Sequence, residues 1–224
     1  SKRSPRNEVA RFILEDLDKA IDLLASRSKF SGQRLNREAA LLFKSRVALY
    51  EGTFEKYHRN SGRVPGDSEW PGANADYNSG KIFGIDGEIE FFLTEAIAAA
   101  EEVAGTAQLT SNNHVIEPTV GVTTGWNPYF EMYSQPSLAN VTEVLLWKEY
   151  NSELSVKHNA PYRCKIGCAD GYTRTFVEAF LMKNGLPIYA ENSGYQGDTS
   201  IDNAKKDRDE RLQLFVWGES TILD

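Results

Sequence analysis

"REAALLFKSRVALYEGTFEKY", Arg37 to Tyr57, is the stretch on which the fold turns. Asn36 stands immediately before it with a side chain suited to capping a helix N-terminus. Ala39, Ala40, Phe43, Val47 and Tyr50 then recur at helical spacing. Gly52 and Thr53 interrupt the pattern, and Phe54 and Tyr57 resume it. Helix, glycine turn, helix is the layout of a tetratricopeptide-like hairpin, in which small residues let two helices approach and large aromatics close the gap. The chain shows no strict repeat of about 34 residues, the period of that motif.

The flanks extend the helical reading. Val9, Ile13, Leu17, Ile21 and Leu24 form one stripe between Asn7 and Ala25, opposite Glu15, Asp16, Asp18, Lys19 and Asp22, which predicts an amphipathic helix. The break "SKFSGQR" separates it from the central stretch. Beyond that stretch, "NSGRVPGDSEWPGANADYNSG" reads as a long surface loop within residues 60–87. A third helix is expected from Gly87 to Ala104, with Ile89, Phe92, Leu93, Ala96, Ile97 and Ala100 on one face.

After Gly105 the character changes. Turn residues dominate, Trp126, Tyr129, Phe130 and Tyr133 cluster, and Glu143–Tyr150 has the β-branched and aromatic content of a short strand. "TRTFVEAFLMKNGLPI" reads as a helix over 173–184, started by Thr173 or Thr175 and burying Phe176, Val177, Phe180 and Leu181. Asn184-Gly185 supplies a left-handed stop and Pro187 prevents continuation. The expected fold class is mainly α: a helical scaffold over 1–105 and a loop-rich lobe with few short strands over 106–224, both parts of one domain.

Composition narrows the function. With 224 residues and 41% hydrophobic content the chain can fill a core. Thirty-two acids against twenty-five bases give a net charge of -7 with both signs dispersed, so no basic stripe faces a nucleic acid. No apolar run approaches the roughly 20 residues that cross a bilayer, and "SKRSPRNEV" is a polar approach to a helix rather than a signal peptide. Cys164 and Cys168 admit either a local disulfide or two ordinary thiols. His58, His114 and His158 stand at no ligand spacing from them, so neither a metal nor a cofactor is expected.

No nucleophile-elbow, zinc-peptidase, phosphate-loop or dinucleotide motif occurs. Glu131 with Glu143, or Asp207 with Asp209, could be nominated as a glycosidase pair, but sequence spacing does not set the carboxylate separation. "DRDERL" admits a surface network of basic and acidic side chains, but reads better as salt-bridged backbone anchoring by Arg208 and Arg211. Trp70, Trp126, Tyr162 and Tyr172 differ from the periodic aromatics because they lie in Gly/Asn/Pro-rich segments beside Asn127, Asn159 and Arg163. Their rings could stack on the C–H faces of sugars while the amides and guanidinium bond hydroxyls; alternatively each pins its own loop to the core.

The central stretch, "EVLLWKEYN" (143–151), "TRTFVEAFLMKNGLPI" (173–188) and "RDERL" (208–212) together resemble, in order and rough spacing, the SusD/RagB family of outer-membrane nutrient-binding lipoproteins of Bacteroidetes. The chain departs from the family where Tyr172-Thr173 replaces Pro-Thr, Asn184-Gly185 replaces Asp-Gly, and Glu210 replaces a proline between Asp209 and Arg211. Family members are longer, so the chain is expected to be a central piece without the lipidated cysteine. The resemblance implies a tetratricopeptide-like scaffold under an irregular ligand-facing lobe, with the 173–184 helix supporting that lobe. It further implies a surface-exposed location at the outer membrane, reached through a lipid anchor outside this chain. The implied work is capture of glycans or peptides as a lid on a TonB-dependent SusC-like transporter. The competing expectations are a structural module that binds a protein or peptide partner, and a glycoside hydrolase.

Overall fold

The structure, a computed structural model, describes residues 3–166 and 171–221. It is mainly helical, with no sheet among the described residues. Two compact units form: Ser1–Leu109 with Ser137–Lys148, and Thr110–Pro136 with Glu149–Asp224.

The first unit is built on α1 (Arg6–Leu23), α2 (Arg37–Tyr57) and α3 (Ile85–Ala104). Ion pairs fix their directions. Arg6 at the start of α1 forks onto Glu51 near the end of α2 at 2.7 and 2.6 Å, and Arg11 forks onto Glu88 at the start of α3 at 3.0 and 2.9 Å. Thus α2 runs antiparallel to both neighbours. Lys44, midway along α2, reaches Asp18 on α1 and Glu95 on α3, each at 2.6 Å.

Small side chains set the close approach. Ala10, Leu14, Ala48, Phe92 and Ala96 form one buried cluster, and Ile21, Ala40, Leu41, Ala99 and Val103 a second. The Ser45 hydroxyl donates to the Ala96 carbonyl across the α2–α3 seam at 3.0 Å. Gly52 belongs to this seam and not to a turn. A Cβ there would stand 3.0 Å from Leu93 and 3.2 Å from Phe92, so glycine serves contact with α3 while α2 continues unbroken to Tyr57. The glycine turn expected at Gly52-Thr53 is therefore replaced by one long helix. Packing also favours Ala10 and Leu14 over Val9 and Ile13 on α1, and Ala99 and Val103 over Ile97 on α3. The displaced Val9 and Ile13 line an open groove of about 870 Å³ with Phe43 and Tyr50 of α2.

Asn36 caps α2 as its position implied: its side-chain oxygen accepts from Ala39 N at 2.9 Å. It also does long-range work, because its amide donates to the carbonyls of Arg34 and Leu145. Asn36→Ala should lose about 2 kcal/mol of stability, a cap plus two part-buried hydrogen bonds, checked by urea unfolding of variant and wild type.

The carbonyl of Leu145 belongs to the segment expected as a strand over Glu143–Tyr150. That expectation is corrected: the segment forms no ladder. Its backbone is claimed by side chains and by the turn after α1. Arg27, in a short 3-10 turn (Arg27–Phe30), donates to the carbonyls of Leu138, Ala139, Val141 and Val144 at 2.9–3.1 Å. Trp147 donates through its backbone N–H to Gly32 O at 3.0 Å and through its indole to Ser31 O at 2.7 Å. β-branched and aromatic content predicts an extended chain, and pairing requires a neighbouring strand that this unit does not offer.

The 60–87 connection is a folded loop. Val64 and Pro65 are fully buried, and the buried Asp67 carboxylate accepts from the N–H groups of Asn60, Gly62 and Val64.

The second unit contains only short helices among its described residues: α4 (Pro128–Met132), α5 (Ala160–Ile166), α6 (Arg174–Glu178), α7 (Ile201–Lys205) and α8 (Glu210–Phe215). Thr173 caps α6 through Phe176 N, as the sequence suggests, but the helix ends at Glu178. The helix expected over 173–184 is corrected for a physical reason. The fully buried Arg208 takes the carbonyls of Val177 and Phe180, both at 2.7 Å, and of Ala204 at 3.0 Å. The chain then runs extended beside 207–209, with Lys183 N donating to Asp207 O and Asp209 N to Leu181 O, each at 2.8 Å. Gly185 does adopt the left-handed conformation (φ +81°), closing the turn in which Met182 N bonds Leu186 O. Phe176 and Leu181 are consequently exposed rather than buried.

Candidate functional site

The four aromatics singled out in the sequence divide between the units. Trp70 lies in the first, folded over Gly72 so closely that a Cβ there would stand 2.2 Å from the ring, and in edge contact with Phe83 at 5.0 Å. It pins its own loop. The other three belong to the second unit. Trp126 is half-buried and packs on Phe130 at 4.7 Å. Tyr162 on α5 is 59% exposed, and Tyr172, stacked on Phe176 at 5.2 Å, is 57% exposed. Among the described residues no ring contact joins any two of the four.

Trp126 leads into an aromatic cluster. Phe215, at the end of α8, stacks on Phe130 at 5.4 Å and meets Tyr133 edge-on at 5.0 Å and Tyr129 at 6.1 Å. Such offset and edge-on pairs match the ring quadrupoles and fix ring orientation. The cluster hangs on Asn127, which is fully buried. Its oxygen caps α4 by accepting from Tyr129 N and Phe130 N, and its amide donates to Asn112 Oδ1 and Val115 O, both at 2.9 Å. Asn127 is therefore a structural clamp with no group left for a ligand hydroxyl, unlike the role its position beside Trp126 suggested.

The acids also take structural partners. Glu131 accepts from Trp126 N at 2.8 Å, and Glu143 belongs to the other unit. The Asp209 carboxylate caps α8 through Arg211 N and is forked by the Arg211 guanidinium at 2.9 and 2.5 Å, which holds it below the usual carboxylate range. Of the two arginines expected to anchor backbone, Arg208 does so without any carboxylate, and burial pulls its pKa down from the ordinary guanidinium value. Arg211 instead pairs with Asp209 at the surface.

Sequence reading missed the surface between these pieces. Glu210 accepts from Asn112 Nδ2 at 2.8 Å, lies 2.8 Å from His114 Nδ1 and 3.7 Å from Lys183 Nζ, and is held below its ordinary pKa, chiefly by the His114 bond. Glu210, Asn112 and Lys183 line, with Tyr129, Asp209 and Arg211, a groove of about 660 Å³. The signal was present only as "DRDERL"; its partners stand some 25 and 100 residues away in sequence.

Among the described residues no group of three or more His, Cys, Asp or Glu side chains is placed to hold a metal, and no helix is long and apolar enough to cross a membrane. Cys168 and the side chain of Cys164 lie outside the described residues, and with them the choice between disulfide and thiols. Comparison of the chain with protein-family models, with curated proteins and with solved structures gives no match.

Proposed function

We propose that the chain is a SusD/RagB-type binding protein, with a tetratricopeptide-like helical scaffold, that captures nutrient glycans or oligosaccharides at the outer-membrane surface without reacting with them. It passes them to a TonB-dependent SusC-like transporter. The observation that carries this reading is the surface of the second unit. Tyr162 stands exposed on α5 and Tyr172 just ahead of α6, and Arg208 braces the backbone that follows Tyr172 through the carbonyls of Val177 and Phe180. Exposed rings on a braced, irregular backbone suit stacking on sugar rings with little ordering on binding.

The test is a titration with an oligosaccharide panel followed by tryptophan fluorescence, with the mixtures analysed for products. Saturable binding of a glycan class with no product formed, weakened about tenfold or more when a ring is removed in Tyr162→Ala or Tyr172→Ala, is the expected result. Hydrolysis of any panel member, or no binding by the folded protein, overturns it.

The open apolar groove of the first unit favours a second reading, a protein-interaction module. Val9, Ile13, Phe43 and Tyr50 line a surface of the kind that receives a partner helix. In the capture reading the transporter contact falls to this helical unit. In the second reading partner binding is the whole function, and no glycan binds.

A further inference from the structure

We propose that the groove of the second unit formed by Asn112, Tyr129, Lys183, Asp209, Glu210 and Arg211 is a saccharide subsite for uncharged sugars. The inference rests on the capture reading and adds to it a place and a ligand class.

The argument starts from charge. Two bases, Lys183 and Arg211, and two acids, Asp209 and Glu210, border one groove, so their charges cancel. An anionic ligand would meet two carboxylates and a cationic one two bases, each an unfavourable contact. A ligand of many hydroxyls meets no such conflict, because each hydroxyl donates to a carboxylate and accepts from an ammonium or guanidinium group.

The positions of the uncommitted atoms match that demand. Glu210 receives Asn112 and His114 on Oε2, while among the described residues Oε1 has only Lys183 at 3.7 Å. Lys183 has no shorter bond among the described residues, and its side chain is 49% exposed. Arg211 spends Nε and Nη2 on Asp209, and Nη1 takes no partner among the described residues. Acceptor and donors are thus available along the same groove, and two of the three are preset: Glu210 by Asn112, Arg211 by the Asp209 fork. Tyr129, oriented by Phe215 and Tyr133, contributes an aromatic side. Rigid charged donors and acceptors beside a ring are what a sugar needs, C–H face on the aromatic and hydroxyls on the charges.

The test is calorimetric titration of the intact chain with maltohexaose, xylohexaose and mannohexaose as neutral probes and hexagalacturonate as the anionic one. At least one neutral probe should bind, and at least tenfold more tightly than hexagalacturonate. Lys183→Met and Arg211→Met, both at exposed head groups, should each weaken that binding about tenfold or more, the worth of one charge-assisted bond, with near-ultraviolet circular dichroism unchanged. Neutral binding that is intact in both variants overturns the groove assignment and leaves capture elsewhere on the unit standing. Preference for hexagalacturonate overturns the ligand class. No binding of any probe by the folded protein overturns both this inference and the capture reading.

Discussion

Glu55→Gln and wild type should diverge in stability as pH rises, with the variant gaining up to several kcal/mol by about pH 9. Glu55 on α2 is 1% exposed, and neither carboxyl oxygen has a hydrogen-bond partner among the described residues. Burial, then the charges of Glu51 and Glu88, push its pKa up from 4.5 to about 8, against a smaller opposing pull from Arg6. Both nearby arginines are committed, Arg6 to Glu51 and Arg11 to Glu88. Below about pH 4.5 the folded and unfolded chains both carry the proton, and the site contributes no pH dependence. Between 4.5 and 8 the folded chain holds a proton that the unfolded chain has lost, so stability falls as pH rises. Above 8 both are ionised and the folded state bears the full penalty, on the order of 4–5 kcal/mol. Glutamine removes the titration but retains a buried amide, so the gain should be small near pH 5 and grow through pH 8. Urea unfolding at about pH 5, 7 and 9 measures it. A gap between variant and wild type that does not change with pH would show that Glu55 titrates normally.

The second large effect is expected at Arg208. Its guanidinium is the common donor for Val177, Phe180 and Ala204, and its own carbonyl accepts from Gln213 Nε2 at 2.6 Å. Arg208→Ala removes the guanidinium donor of three carbonyls, of which Val177 O keeps, among the described residues, only the Phe180 N–H at 3.3 Å, and empties the volume of the largest fully buried side chain of those residues. At about 1–3 kcal/mol for each stranded acceptor, the loss is on the order of 4 kcal/mol or more, enough to unfold a domain of ordinary stability. Arg208→Lys retains the charge but not the planar fork that serves several carbonyls, and should recover only part of the loss. Limited proteolysis of the second unit with chemical unfolding separates the three proteins. Equal resistance of Arg208→Ala and wild type would contradict the anchoring role.

Arg27 and Arg208 explain together why the two units differ so much in legibility. The periodic helices were open to reading because their hydrogen bonds are local: α1, α2 and α3 need only an amphipathic repeat and a cap such as Asn36. The segments 138–147 and 177–182 satisfy their carbonyls with a guanidinium more than 100 residues away in one case and about 30 in the other. Arg27 looks no different in sequence from an arginine on a solvated face, and although "DRDERL" pointed to Arg208 as a backbone anchor, nothing in the sequence says which carbonyls it reaches. Local propensity therefore suggested a strand at Glu143–Tyr150 and a long helix from Thr173, where distant donors hold an extended segment and a single helical turn.

The same division holds for the candidate site. Residue type drew attention to Trp70, Trp126, Tyr162 and Tyr172, but whether a ring faces solvent depends on what the fold places over it. Gly72 and Phe83 cover Trp70, whereas Tyr162 and Tyr172 remain exposed. The sequence by itself determined the mainly helical class, the helices α1 and α3 and the first part of α2, the cap at Asn36, a threonine cap at Thr173 or Thr175, and the left-handed Gly185, all set within a few residues of backbone. Only the tertiary structure decided that Gly52 is a helix contact, that Asn127 is a clamp, and that Asn112, Lys183 and Glu210 meet in one groove. Those outcomes depend on side-chain contacts across long loops, where local periodicity carries no information about which donor will reach which acceptor.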